Sequence, residues 1–402
     1  MTQLYQIQSG SIAASECTTE PLETHAEYRL IESAVGAQLF VTDGSRLYGI
    51  EPSIEVLLRD AIENKDDLGS LIGQVGRPKA ERAISDAPIS PPPLRSLSLN
   101  VAQSYNMACS YCYADEGRFG GSSRMMSQAV AFQAIDRLLV ESNADEAVVV
   151  GFMGGEPLVN RKLVHAATRY AAQRAVNREV RYSLTTNGTL VTEGDAKLFH
   201  EFPFTVQVSI DGDREANDRA RPLRGGGSSY DRIIDALELF RIHGRPRQLS
   251  ARVTVTPQTR DLPAILHHLL DLGFDDVGFA PVLVSPNPDA AFSLADFDSF
   301  LEEMKACGRI ALAEMREGRA FPFSNFTTAL DEIHRGTHRP YPCGAGAAYL
   351  SVNAEGDVFA CHRLIDDPAF AMGDVTNGLD QEARRQHLGR MHVDKMQPCR
   401  GC

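Results

Sequence analysis

Two cysteines with metal-binding spacing, Cys109 and Cys112, lie in the stretch 97–115, LSLNVAQSYNMACSYCYAD. Two thiolates this close in sequence can share a zinc ion or hold one edge of an iron–sulfur cluster. The apolar alternation that precedes them predicts a strand over 97–101, followed by a loop that presents the thiols. The cysteine pair alone therefore predicts a metal site and leaves the metal open.

A second group of cysteines lies near the carboxyl end of the chain. It begins with a C-x12-G-x4-C pattern, in which the middle, residues 349–358, predicts a hairpin turning at Glu355-Gly356. The chain continues to a C-x-x-C pair. Four thiolates could close tetrahedrally around zinc. The candidate ligands are Cys343, Cys361, Cys399 and Cys402, whereas Cys17 and Cys307 stand alone and are expected to be plain thiols.

Short polar motifs follow four more predicted strands. The paired glycines before Glu156 would allow a ligand to approach the backbone closely. Arg252 alternates with valines, and an arginine that points into a barrel needs an anion. Asp218 and Arg221 have the spacing of a helical ion pair, which is the role we favour for them. The candidate ligand-binding residues at these strand ends are Gly154, Gly155, Glu156, Thr186, Asn187, Ser209 and Arg252.

Strands and helices alternate along the part of the chain that carries these motifs. Six such units predict a parallel sheet curled into a partial barrel, with the chemistry at the carboxyl ends of the strands. The predicted strands are 97–101, 147–153, 180–185, 204–210, 251–256 and 277–281, and the predicted helices include 127–141, 161–173, 230–242 and 262–272. The fold class is therefore α/β, a partial (β/α)6 TIM-like barrel.

The residues before the barrel predict a small α+β domain. Strands at 37–42 and 46–50 flank a tight turn at 43–45, and Pro52 begins an amphipathic helix. The prolines at 88 and 91–93 form a stiff linker. The predicted domains are 1–90 with its linker, 94–322 as the barrel and 323–402 as a cysteine-rich extension.

Composition excludes several classes of protein. The 402 residues are 43% hydrophobic and 23% charged, as in an ordinary globular protein. A net charge of −13 argues against a general nucleic-acid binder. No secretion signal or membrane span is visible, so the cysteines favour metal over disulfides and a cytoplasmic location is expected.

The cysteine loop resembles that of radical S-adenosylmethionine (SAM) enzymes, which read C-x-x-x-C-x-aromatic-C at the end of the first barrel strand. Cys109, Tyr111 and Cys112 match the last three signature positions, and Tyr105 stands where the family has its first cysteine. The resemblance implies a [4Fe–4S] cluster that binds SAM, here with one thiolate replaced by a phenol.

The other motifs resemble the same family and occur in its order. G-G-E-P at 154–157 implies a site for the SAM amino group, Thr186-Asn187 a site near its ribose, and Ser209 and Arg252 contacts to its carboxylate. Tyr111 is included among the expected cofactor-binding residues. The C-terminal cysteines resemble the opening half of a SPASM domain, which implies auxiliary iron–sulfur clusters, with zinc as the alternative.

By resemblance, the chain is a radical SAM oxidoreductase or maturase that abstracts hydrogen from a residue of a peptide. Segment 1–90 is similar to small domains that bind leader peptides, which favours a thioether or carbon–carbon crosslink in a ribosomally made peptide. A merely structural N-terminal cap is the other interpretation. Two functional alternatives stay open: sulfatase-maturase-like oxidation of Cys or Ser, and a non-catalytic peptide-binding relative. The implied partners are a substrate peptide and an electron donor such as flavodoxin or ferredoxin, without nucleic acid or membrane.

Overall fold

The computed structural model describes residues 28–33, 36–41, 45–64, 66, 71, 87–112, 124–336 and 340–396. The chain divides into two compact units. The first contains residues 1–88, 328–343 and 389–402, and the second contains residues 89–327 and 344–388. The division into domains at 90 and 322 stays a prediction, and the turn residues 42–44 lie outside the described part of the chain.

The second unit is built on a mixed sheet, in which ten strands are described. Six of them are parallel and follow one another in chain order, as the sequence predicts. These six are β4 (Ser96–Ala102), β5 (Val148–Gly154), β6 (Val180–Thr186), β7 (Phe204–Ser209), β8 (Gln248–Val255) and β9 (Asp276–Pro281). The α/β class with a parallel sheet is therefore confirmed, and the described strands do not close into a complete barrel.

The helices between these strands were predicted to within two residues at each end where the sequence gave a clear apolar period. The capping residues explain their starts: Ser127 accepts a hydrogen bond from the backbone N–H of Val130 before the first of them. Along the whole chain, the described helices include α1 (Pro52–Glu63), α2 (Gln128–Val140), α3 (Arg161–Arg174), α4 (Glu193–Glu201), α5 (Arg214–Ala220), α6 (Ser229–His243), α7 (Leu262–Asp271), α8 (Asp296–Arg316), α9 (Ser324–Arg335) and α10 (Gln381–Met391). The sequence analysis did not predict α8 and α9 from their apolar spacing. Cys307 is buried in α8 and is a free thiol, as expected for a cysteine that stands alone.

The two faces of the sheet differ in chemistry because side chains alternate along each strand. In β6, Val180, Tyr182 and Leu184 are buried in the apolar core, whereas Ser183 and Thr185 on the other face are partly exposed. The neighbouring strand β7 repeats the alternation, and the register places Ser98, Gly151 and Ser183 side by side. One face thus packs against apolar side chains, and the other is lined by hydroxyls.

Both edges of the parallel sheet are covered within the second unit. On the β4 side lies β10 (Tyr349–Val352), parallel to it, followed by the antiparallel strands β11 (Asp357–Phe359), β12 (Ala371–Asp374) and β13 (Gly378–Leu379). The predicted hairpin that turns at Glu355-Gly356 is therefore confirmed. On the β9 side, the amide of Asn325 exchanges hydrogen bonds of 2.9 and 3.1 Å with the backbone of Phe279.

The first unit contains a separate antiparallel sheet in the order β1 (Tyr28–Ser33), β2 (Gly36–Val41) and β3 (Arg46–Gly49). Pro52 begins α1, which contributes buried Leu58 to a small core with Leu39. The hairpin and helix were predicted. Strand β1 was missed because its sequence, YRLIES, shows little apolar alternation, in keeping with its mostly exposed side chains. None of the described helices is long and apolar enough to cross a membrane.

Candidate metal and cofactor site

The predicted motifs converge at the carboxyl ends of the parallel strands. The loop after β4 carries Cys109 and Cys112, whose side chains are both partly exposed. A tight turn separates them, since the Cys112 N–H donates to the carbonyl of Cys109 at 3.2 Å. Within the described ranges, no three His, Cys, Asp or Glu side chains group as metal ligands. This loop therefore offers two thiols to a metal centre.

Tyr105 lies directly beside the first of these thiols. Its hydroxyl oxygen is 3.4 Å from Cys109 Sγ, within hydrogen-bonding distance. Burial raises the pKa of Tyr105 well above that of an ordinary phenol, although the charge of Arg221 opposes this shift. The Tyr105 hydroxyl therefore lies next to one of the two thiols of the cysteine loop.

The glycine motif forms a close turn between β4 and β5. Gly154 has φ +146°, and a Cβ at this position would lie 2.3 Å from the carbonyl oxygen of Ala102. The N–H groups of Gly155 and Glu156 donate to the carbonyls of Ala102 and Ser104 at 2.8 and 2.9 Å. The turn therefore needs glycine at 154, because the φ value and the close approach both exclude a side chain.

The carboxylate of Glu156 ties the end of β5 to the end of β6. It is fully buried and accepts from the N–H of Leu158 at 3.0 Å, the hydroxyl of Thr186 at 2.8 Å and the N–H of Asn187 at 2.8 Å. Burial raises its pKa, although these donors oppose the shift. Contact of Glu156 and Thr186 with a ligand stays a prediction, since this carboxylate and this hydroxyl already bond each other.

Asn187 links the next loop to the cysteine loop. Its amide donates to the side-chain oxygen of Asn106 at 2.8 Å, and Asn106 donates to the hydroxyl of Thr189 at 2.8 Å. Thr189 completes the ring by donating to Asn187 at 2.6 Å. The T-N-G-T motif is therefore more than a turn, because its amide and hydroxyl fix the residue that follows Tyr105.

Ser209 and Arg252 are neighbours in the register of β7 and β8, on the face lined by hydroxyls. The Arg252 guanidinium lies over Gly278, where a Cβ would be 3.0 Å from its Nη1 atom. Among the described residues, its side chain has no hydrogen bond or ion pair. Burial, and then the charge of Arg363, lowers the pKa of Arg252. The charge of Asp276 opposes this shift, but it forms no ion pair with Arg252, so the half-buried guanidinium is suited to receive an anionic group.

The expected ion pair between Asp218 and Arg221 is wrong. Asp218 instead accepts from the hydroxyl of Ser229 at 3.0 Å and from the N–H of Tyr230 at 2.8 Å, which holds the start of α6. Arg221 follows the last residue of α5, where the helix ends, and its guanidinium turns toward the cysteine loop. The i, i+3 spacing therefore misled because the helix stops before the arginine.

Arg221 belongs instead to a buried triad with Tyr111 and Asp211. Its Nη1 donates to the Tyr111 hydroxyl, which in turn donates to Asp211 Oδ2 at 2.6 Å, and Nη1 lies 4.0 Å from that oxygen. Burial raises the pKa of both Tyr111 and Asp211, and the guanidinium opposes both shifts. Tyr111 was predicted to bind the cofactor, but its hydroxyl is occupied within the chain, so any ligand contact must involve its ring or backbone.

The C-terminal cysteines are placed only in part. Cys343 is exposed and belongs to the first unit, whereas Cys361 is partly exposed and belongs to the second. Cys399 and Cys402 lie outside the described residues. Beside Cys361, His362 accepts or donates a 2.8 Å hydrogen bond with the Tyr349 hydroxyl, and burial lowers its pKa to about 4. A shared metal site of the four cysteines stays a prediction, and the His362 ring is engaged by Tyr349.

Sequence reasoning missed the side chains that hold the cysteine loop in place. Asn106 lies in the cysteine loop and Asp211 directly follows a predicted strand, but nothing in their spacing predicts partners about 80 or 100 residues away along the chain. Gln103 was also missed, and its amide donates to Asp366 at 2.8 Å. The usable signal was the position of each polar residue immediately after a predicted strand.

Comparison with known proteins identifies the domain that contains this loop. Residues 106–269 match the radical SAM superfamily. The chain is 25% identical over 296 residues to the serine-type anaerobic sulfatase-maturating enzyme of Klebsiella aerogenes, which covers 69% of each chain. Among the other curated relatives, the match spans between 41% and 82% of the relative's length, and 62% for an uncharacterized protein of Methanocaldococcus jannaschii that is 30% identical over 189 residues.

Two solved structures share the fold. The structure of anSMEcpe with bound AdoMet and Cp18Cys peptide has a TM-score of 0.64 and 21% identity, over 77% of this chain and 86% of that one. Streptococcus suis SuiB bound to precursor peptide SuiA has a TM-score of 0.50 and 14% identity, over 94% and 89%. At these identities the likeness concerns the fold alone. The superfamily match leads to one identification: residues 106–269 of this chain are a radical SAM domain.

Proposed function

We propose that this protein is a radical SAM maturase that modifies a residue of a peptide, forming a thioether or carbon–carbon crosslink. The observation that supports the proposal is that the cysteine loop and the Gly154 turn follow the adjacent parallel strands β4 and β5, and that Arg252 lies toward the carboxyl end of β8 in the same parallel sheet. When bound, the cluster and SAM supply an electron and a radical that abstracts hydrogen.

The donor chemistry of the site suits an iron–sulfur cluster at two positions. Cys109 and Cys112 provide soft thiolates, which such clusters prefer, whereas Tyr105 offers a harder oxygen at the third position. Arg252 and Ser209 would hold the SAM carboxylate, and the Gly154 turn would admit its amino group to the backbone. Auxiliary clusters would require Cys343, Cys361, Cys399 and Cys402.

The experiment that tests the proposal is anaerobic reconstitution of the full chain, followed by iron and sulfide analysis and EPR of the reduced protein. We expect a [4Fe–4S] signal that shifts when SAM is added. Zinc alone, or no cluster, would instead support the alternative that this protein is a non-catalytic peptide-binding relative of these enzymes. Tyr105 is the observation that favours this alternative.

A second enzymatic candidate is oxidation of Cys or Ser in a sulfatase-type substrate. It is favoured by the similarity to sulfatase-maturating enzymes over 69% of this chain. Incubating the reconstituted protein with SAM, a reductant and the Cp18Cys peptide, followed by mass spectrometry, distinguishes the two. Oxidation of the peptide cysteine would favour this candidate over crosslinking, and an unchanged mass would count against it.

Arg252 provides a prediction that separates ligand binding from stability. Replacing it with methionine should leave the free energy of unfolding unchanged or raise it, because the half-buried cation that is removed forms no hydrogen bond or ion pair among the described residues. SAM binding, measured by calorimetry on the reconstituted protein, should weaken about tenfold or more as a charge-assisted bond is lost. Arg247→Met is the control, since Arg247 forms only an exposed ion pair with Glu179. Equal SAM affinity in both variants would remove Arg252 from the site.

The proposed partners are a substrate peptide and an electron donor such as flavodoxin or ferredoxin. The three-stranded sheet of the first unit has β1 and β3 as its outer strands within the described residues, and an extended leader peptide could add to either. We also propose a cytoplasmic location, which a reduced cluster favours.

A further inference from the structure

The buried triad of Tyr111, Asp211 and Arg221 has no role in the function proposed above. All three side chains are at most 8% exposed, and they come from three separate loops, after β4, after β7 and after α5. A buried cation, phenol and carboxylate are costly unless they are mutually paired, so such an arrangement constrains the three loops strongly. One of the three residues, Tyr111, lies between Cys109 and Cys112, so the pairing constrains the cysteine loop directly.

The backbone around the triad shows what is being held. The N–H groups of Ala108 and Ser110 donate to the carbonyls of Pro222 and Ala220 at 2.8 and 3.1 Å. Arg224 closes the other end by donating its N–H to the carbonyl of Asn106 at 3.2 Å. The cysteine loop therefore lies along segment 220–224, and Arg221 is in the middle of that segment.

Asp211 anchors the triad to the sheet. Its second carboxylate oxygen accepts from the N–H of Thr254 at 2.9 Å, and its own N–H donates to the amide oxygen of Asn217 at 3.0 Å. Loss of one member would leave the others buried without a complete set of partners. The Arg221 Nε atom has no partner among the described residues.

We infer that Arg221 and Asp211 are positioning residues for the metal centre: through the Tyr111 hydroxyl they fix the loop that carries Cys109 and Cys112. This inference rests on the proposed function for its metal, but the fixed loop is a property of the protein alone. With only two thiols on the loop, retention of iron depends on their spacing. Residues that orient metal ligands typically change metal affinity about 10- to 100-fold when they are replaced.

The test compares Arg221→Gln with Arg219→Gln on the full chain. Arg219 lies two residues earlier, in the last turn of α5, and forms only an exposed ion pair with Glu215, so it is a matched control. In the metal-free Arg221→Gln variant, amide hydrogen exchange of residues 106–112 should be about tenfold faster than in the wild type, because the free energy of local opening decreases. The control should exchange at the wild-type rate, and protection elsewhere should be equal in all three proteins.

A second variant guards against misfolding. Tyr111→Phe keeps the ring and removes only the hydroxyl, and it should accelerate the same segment. The double variant should add little to either single change, because the residues act as a unit. Unchanged exchange in both single variants, or simple additivity, would overturn the inference.

Iron retention separates this inference from the proposed function. After reconstitution, a chelator should remove iron about tenfold faster from Arg221→Gln than from Arg219→Gln. If the wild-type chain takes up no iron, the proposed function fails, while the exchange experiment still decides whether the triad fixes the loop. If iron is taken up and both variants release it equally, the inference fails and the proposed function stands.

Discussion

Replacing Tyr105 with cysteine should increase the fraction of chains that hold a complete four-iron cluster at the cysteine loop, and should produce SAM cleavage at least tenfold above the wild-type rate. The phenol oxygen lies 3.4 Å from Cys109 Sγ, so the side chain at position 105 points toward this thiol. A cysteine at the same position would therefore place its thiol on the side of Cys109. A thiolate is also the softer and better ligand for cluster iron. Iron and sulfide analysis, EPR with and without SAM, and 5′-deoxyadenosine formation measure the effect.

Tyr105→Phe is the matched control because it removes the hydroxyl and adds no ligand. We expect it to gain neither iron nor SAM cleavage. If the phenylalanine variant gained as much iron and SAM cleavage as the cysteine variant, the hydrogen bond from the phenol to Cys109 would limit cluster binding, and the lack of a third thiolate would not. A cysteine variant that binds iron but remains inert toward SAM would favour the peptide-binding alternative.

Gly154→Ala should destabilise the protein by about 3 kcal/mol or more and abolish measurable SAM binding. At φ +146° the backbone is in a region that is nearly restricted to glycine, which costs an alanine about 1–3 kcal/mol. The new Cβ would also lie 2.3 Å from the carbonyl oxygen of Ala102, so one of the two strand ends must move. Urea unfolding gives the change in stability, and calorimetry on the reconstituted protein gives the change in SAM affinity.

Gly225→Ala is the control for this substitution. Gly225 is exposed, and no atom lies within 4 Å of the position that its Cβ would occupy. Alanine there should be neutral or stabilise by up to about 1 kcal/mol through the unfolded state. If Gly154→Ala behaved like this control, the Gly154 turn would not be the tight ligand-admitting feature that we describe.

The alternating pattern of the sequence was sufficient to predict the parallel sheet. The six strands are short apolar runs separated by helical periods, and the structure moves their ends by three residues at most. The candidate site was also predicted at the correct end of the sheet, because the polar motifs follow those strands directly. Local patterns therefore determine the scaffold and the location of the site.

Contacts across loops were beyond the sequence pattern. Arg221 shows why: its spacing from Asp218 suggests a helical pair, but the helix ends first and a phenol from another loop competes for the guanidinium. Glu156 was expected at a ligand, yet its carboxylate accepts three hydrogen bonds from neighbouring residues. The partners of both side chains depend on how the strands are ordered in space, which periodicity alone does not encode.

The pairing of β4 with β10 has a consequence for biosynthesis. The strand that leads into the cysteine loop has one side satisfied early, by β5, but its other side waits for Tyr349–Val352. About 250 residues separate the two strands. At typical translation speeds of about 5–20 residues per second, the ribosome needs ~12–50 s to synthesise these intervening residues. During this interval a growing chain exposes an unpaired strand edge next to two reactive thiols, a state that favours aggregation and oxidation. Efficient production of the protein should therefore depend on chaperones and on a reducing environment during translation.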